Sequence, residues 1–350
     1  MRKAFIRSIA RTAMAVCAAG LVATSAGASN GGQPAPPADT ACASGGGSPC
    51  SIRVASSTID AAFFRLRELR RSGEVVLLDR ALSELATSEE LFADLRTPAE
   101  VIWSTLLGSH FDVGMTPRER AEAIERWRAA RPGSPFLVLL EAMKLQHAAN
   151  QAVASTLPEA RQLAQARLAQ AEALLLAMPP QAQATAIWHM MMLAVTEHLE
   201  QRTASEAAVF EAAVQRWPRH LPFYALMLQR LHPDRGGSWA AVERLAAEAS
   251  RRTAATDGEA IYARLYARLP HDVAAGRTAL DWPRLDRGFR DWLARSPEPR
   301  VRNLHASHAC AARDRRAFLA AMRALDPADL APAAWLPGHG HEACARWAGH

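Results

Sequence analysis

The sequence predicts an all-α fold. Apolar residues recur at helical steps of three and four: Ile59, Phe63 and Leu66; Leu78, Leu82 and Leu85; Phe210, Ala213, Val214 and Trp217; Trp282, Leu285, Phe289 and Trp292. Helix start and stop signals punctuate the body, and no run of residues alternates as a half-buried strand does. Ala, Leu, Arg and Glu dominate, and all four are good helix formers.

The elements follow in order. Residues 1–28 read as a secretory signal peptide: a basic start (Arg2, Lys3, Arg7, Arg11), an apolar run from Ala13 to Ala23, and Ala26-Gly27-Ala28 as a cleavage site, with cleavage after Ala28. Cys17 would suit a lipoprotein only with a small residue before it, and that position is Val16. Losing this segment lowers the net charge from +6 to +2, so the argument for a nucleic-acid partner disappears with it. No later stretch holds 18 apolar residues in a row, so the mature chain is expected to carry no transmembrane span. Residues 29–56 form a Gly/Pro/Ser-rich tether with little to bury, and a helical domain is expected over 57–350. At 49% hydrophobic and 22% charged, the chain has the balance of a globular protein and not of a disordered one.

Within that domain the spacing predicts helices over 58–71, 75–87, 98–108, 117–131, 136–150, 157–178, 182–200, 204–217, 221–231, 239–254, 258–269, 282–295, 298–311 and 314–325. Thr97-Pro98-Ala99-Glu100 and Thr116-Pro117-Arg118-Glu119 each offer an N-cap, a proline at the first helical position and a glutamate that closes a capping box. Thr203 with Glu206 and Thr256 with Glu259 are plainer versions. Stops fall at Pro132-Gly133, Pro179-Pro180, Pro218, Gly236-Gly237, Pro270 and Pro297. Short helices on short loops must share a core with their neighbours. Tetratricopeptide-like hairpins forming a solenoid satisfy that requirement, and so does a compact helical bundle. No strict fixed-period repeat is visible.

Four cysteines follow the signal peptide: Cys42, Cys50, Cys310 and Cys344. An even number in an oxidising compartment points to disulfides, and four cysteines allow three connectivities. Local pairing, Cys42 with Cys50 and Cys310 with Cys344, is the simplest of them.

A family resemblance rests on scattered motifs. Trp217-Pro218 precedes a helix with Tyr224 and Met227, then a Leu-x-Pro-x-x-Gly-Gly-Ser turn ending at Ser238, an Ala-rich helix, and Gly258-Glu259 with Tyr262-Ala263-Arg264. With Leu66, Leu69, Gly73 and Leu77-Leu78-Asp79, Trp127 to Pro132, Trp282-Pro283-Arg284 with Phe289, and Ala309-Cys310-Ala311, this resembles the bacterial family called domain of unknown function 4034, over about residues 60–345. The resemblance implies a tetratricopeptide-like helical fold and no activity. One departure stands out: Arg235 occupies the place before the double glycine where the family carries Trp, and Trp239 lies just after it.

Trp217, Phe223, Tyr224 and Trp239 gather at the Pro218 and Gly236-Gly237 breaks. They read as interhelical packing, or as an aromatic-lined peptide groove with Arg219 or Arg235 for a carboxylate. Trp217, Tyr224, Arg235 and Trp239 are therefore the candidate binding surface. His305 and His308, one helical turn apart, with His339, His341 and Cys344 in the tail, match no zinc motif, and no metal or other cofactor is expected. His189 and His198 face opposite sides of a helix, Met190 to Met192 beside Trp188 read as core, and His232-Pro233-Asp234 lacks the basic helix that precedes this tripeptide in J-domain co-chaperones. Catalytic motifs are missing: no nucleophile elbow, phosphate loop or dinucleotide fingerprint is present. The expectation is a non-catalytic periplasmic or secreted helical-repeat protein that binds a protein or peptide in the envelope, or scaffolds it. The alternative is an envelope enzyme with an unrecognised, metal-dependent site.

Overall fold

The computed structural model describes residue 54 and residues 58–107, 115–153 and 157–349. The segment read as a signal peptide, Cys42, Cys50 and nearly all of the segment read as a tether lie outside the described residues. Among the described residues the protein is all-helical, with seventeen α-helices, three single-turn 3₁₀ segments and no strand.

The helices are α1 (Ile59–Arg71), α2 (Val75–Thr87), α3 (Pro98–Leu107), α4 (Pro117–Ala130), α5 (Pro135–Val153), α6 (Pro158–Leu176), α7 (Pro180–Gln183), α8 (Ala186–Thr196) and α9 (Glu206–Arg216). They continue as α10 (Leu221–Arg230), α11 (Trp239–Asp257), α12 (Ala260–Tyr266), α13 (Pro270–Ala274), α14 (Trp282–Arg295), α15 (Pro299–Ala311), α16 (Arg315–Arg323) and α17 (His341–Ala348). Both full capping boxes form. Thr116 Oγ1 accepts from the Glu119 amide at 3.2 Å while Glu119 accepts from the Thr116 amide at 2.6 Å. Thr97 and Glu100 repeat the exchange at 3.2 and 2.7 Å. The two plainer starts behave differently. Thr256 lies inside the last turn of α11, its hydroxyl donating to the Thr253 carbonyl, so α11 runs on to Asp257. The Thr203 amide is taken by the buried Glu172 carboxylate, and Ser205 occupies the N-cap of α9.

Three hairpin corners are built alike. Arg131, Trp217 and Ser296 close α4, α9 and α14 with φ of −140°, −124° and −140° and ψ of 67°, 66° and 89°. Each amide donates to the carbonyl four residues back, at 2.8 Å in all three. The cause is shared: Pro132, Pro218 or Pro297 comes next and drives the preceding residue out of the helical region. A second proline then opens the following helix, where its missing N–H costs nothing.

The core gathers around α8. Ten of its eleven residues are buried, Met190, Met191 and Met192 among them, with only His189 half-buried. It packs on α2, α3, α5, α6, α7, α9 and α10. From α11 onward contacts are more sequential: α11 with α12, α12 with α14, α14 with α15 and α15 with α16. A second, smaller core of Ala306, Ala309, Phe318, Ala321, Trp335 and Ala348 lies at the C-terminal end, where Cys310 of α15 and Cys344 of α17 are disulfide-bonded with Cα atoms 5.8 Å apart. Asn303 fastens the intervening tail, accepting from the Trp335 indole at 2.9 Å and the Ala331 amide at 3.0 Å.

Candidate functional site

The four residues expected to form a binding surface do not come together. Trp217 and Tyr224 are core residues. Trp217 packs between His189, 5.3 Å away, and the His220 and Phe223 rings at 6.1 and 6.2 Å, and Tyr224 meets Phe210 edge-on at 5.7 Å. Their large apolar area is more stable inside than lining a groove. Burial raises the Tyr224 hydroxyl well above the usual phenol range. Arg235 and Trp239 lie past the far end of α10, about 15 Å of helix from the Trp217 corner. Arg235 is ion-paired with Glu197, and Trp239 rests edge-on against His232 at 4.8 Å.

The histidines have local partners. His305 Nε2 meets Asp286 Oδ1 at 2.7 Å and the ring stacks on Phe289. His308 Nδ1 donates to the Leu304 carbonyl at 2.7 Å, and burial lowers its pKa to about 4. His341 lies edge-on to Trp335 at 5.5 Å, and Cys344 is spent on Cys310. Among the described residues no three His, Cys, Asp or Glu side chains are placed to hold one metal ion.

A cleft of about 700 Å³ opens elsewhere, along the edge that carries two of the three like corners. One wall is the segment 88–96 between α2 and α3, contributing Glu90, Leu91, Phe92, Ala93 and Leu95. The other wall is Arg219 from the α9–α10 corner, Asp257 and Gly258 from the end of α11, and Asp291, Ala294 and Arg295 from α14. The segment lies as a strap along one side of the cleft. It buries Leu91, Phe92 and Leu95, folds on itself through the Phe92 amide to the Arg96 carbonyl at 2.9 Å, and holds Leu95 at φ 61°. Its far anchor is Arg264 of α12, which donates to the Leu95 carbonyl at 2.7 Å while lying under the Trp292 ring. Burial lowers the Arg264 pKa to about 10, with Glu100 the main opposing charge, so the side chain stays cationic at neutral pH.

The charges of the other wall are organised by Asp257, whose side chain is only 5% exposed. Arg219 grips it with two donors, Nε to Oδ2 at 2.8 Å and Nη2 to Oδ1 at 3.0 Å, and Arg295 Nε approaches Oδ1 at 3.3 Å. A carboxylate at the last position of a helix opposes the macrodipole, and the two guanidinium groups offset that cost. Both remain open to solvent, Arg219 at 33% and Arg295 at 43%. Gly258 makes the turn beneath them at φ 56°, and a Cβ there would lie 2.3 Å from Asp291 Oδ2, which accepts from the Glu259 amide at 2.8 Å. Arg219 was visible in the sequence beside the aromatic cluster. Asp257, Arg295 and the strap were not, because nothing local connects residues so far apart in the chain.

No family model, no curated protein and no solved structure matches the chain. The geometry of the cleft therefore carries the functional reading.

Proposed function

We propose that the protein is a non-catalytic binding module of the bacterial envelope, periplasmic or secreted, and that its ligand seats in the cleft between the strap and the α9–α14 edge. Its volume falls within the range of ligand pockets, and a wall of placed charges faces the segment 88–96 across it. The observation that carries the reading is the buried Asp257 holding two solvent-open guanidinium groups at the cleft wall. The like corners of α4–α5, α9–α10 and α14–α15 support a tetratricopeptide-like stacking of hairpins, and membership of the domain of unknown function 4034 family is part of the same proposal.

Cross-linking in envelope extracts tests it. Ala294→Trp places a large side chain in the cleft from an exposed helix position. The expected result is a partner captured by the wild type and by Arg235→Ala, and lost with Ala294→Trp while the circular dichroism spectrum stays unchanged. An unchanged partner set in Ala294→Trp would overturn the proposal.

A further inference from the structure

We infer that the cleft selects a bipolar peptide segment, one that brings a carboxylate to Arg219 and Arg295 and a cation to Glu90. The inference rests on the binding-module reading and adds the chemistry of the ligand.

The charge pattern of the cleft is the starting point. Five charged side chains line it, and two of them turn their charge inward. Asp257 is buried beneath its two arginines, and Asp291 is committed to the Glu259 amide under Gly258. The Arg219 guanidinium shares its Nε and one Nη with Asp257 and stays one-third exposed, so its remaining N–H donors are available. Arg295 spends only Nε. Two cations meet one carboxylate, which leaves that wall positive toward the cleft even though the formal sum of the lining is not. Across from them, Glu90 is exposed on the strap and makes no ion pair among the described residues, whereas its neighbour Glu89 pairs with Arg216 at 3.6 Å. Ala93 and Ala294 supply the exposed apolar surface between the two poles, over the buried Leu91, Phe92 and Leu95.

A simple anion would satisfy the arginines and meet Glu90 as a like charge. A simple cation would meet the reverse. A segment carrying both signs satisfies both walls, and its backbone covers the apolar stretch between. Two sources have this chemistry: a short peptide with free termini, and an internal acidic–basic pair within a longer chain.

Isothermal titration calorimetry on the purified protein separates them. The probes are tetra-alanine with free termini, the same peptide amidated at its C-terminus, the same peptide acetylated at its N-terminus, and the doubly capped acetyl-Ala-Asp-Ala-Lys-amide. The expected result is saturable binding of at least one bipolar probe. If free tetra-alanine binds, amidation should weaken it at least tenfold and acetylation severalfold. Glu90→Gln, an exposed substitution, should then remove the acetylation effect and leave the amidation effect in place. Arg295→Gln should do the converse. If only the doubly capped Asp/Lys peptide binds, and Glu90→Gln weakens it severalfold, the ligand is an internal segment and the inference still holds. Binding that ignores both caps and both substitutions would overturn it, as would no binding of any probe. In that last case a partner still lost with Ala294→Trp would leave the binding-module reading standing, so the two failures are distinguishable.

Discussion

Among the described residues His220 makes no hydrogen bond from either ring nitrogen, although it is buried between the Trp217 and Phe223 rings. Burial lowers its pKa from 6.5 to about 4, so the ring is neutral at pH 7. As pH falls below 6.5 the unfolded chain takes the proton first. Stability supplied by the neutral ring is therefore complete above pH 6.5 and is lost as pH falls toward 4. His308, lowered to about 4 by its own burial, adds to the same window. His220→Phe should keep the stacking, remove two unsatisfied nitrogens and stay within about 1 kcal/mol of wild type at pH 7. Between pH 7 and pH 4.5 it should lose about 2 kcal/mol less than wild type, read from urea midpoints. An equal loss in both proteins would mean that His220 is protonated in the folded state. At this scale the sequence was partly legible. It showed the aromatics gathering at Pro218, but apolar spacing cannot tell a ring that lines a groove from one that fills a core.

Helix boundaries were the most legible feature of the chain, because caps and prolines act locally. The two Thr-Pro-x-Glu boxes formed as their residues require. The short helices α7 and α13 are less legible: the expected helix over 182–200 merges α7 with α8, which Thr185 caps separately, and a stop at Pro270 hides α13, because proline at the first helical turn is equally a start. The tail helix α17 carried too little apolar periodicity to be seen, and the Cys310–Cys344 pairing marked its position instead. That bond closes a loop with a sequence separation of 34, for which chain entropy gives roughly 3–4 kcal/mol. Reduction of the folded protein should first release α17, seen as proteolytic cleavage around residues 336–344, and lower the denaturation midpoint. Loss of α8 or α10 at the same protease dose would show instead that the C-terminal core is not separable from the rest.

Across the whole molecule, the contacts that build the cleft join residues distant in the chain, and periodicity holds no information about them. Arg264 reaches the Leu95 carbonyl across a separation of 169 residues. Arg264→Ala would leave that carbonyl without its donor and take a cation from beside Glu100, whose carboxyl is held below the usual range by Arg96, Arg268 and Arg264 against the effect of its own burial. The expected cost is about 2–4 kcal/mol. Hydrogen exchange should show the amides of Leu95 and Phe92 opening before those of α8. Uniform loss of protection would mean that the strap and the core open as one unit.

The three consecutive methionines of α8 have a chemical consequence of their own. Their side chains are buried where seven helices pack on α8, which protects them from peroxide in the folded protein. Sulfoxide at Met190, Met191 or Met192 is therefore a record of a molecule that has come apart at its centre. A polar, chiral sulfoxide does not fit back into that space, so such a molecule would be marked and also barred from closing again.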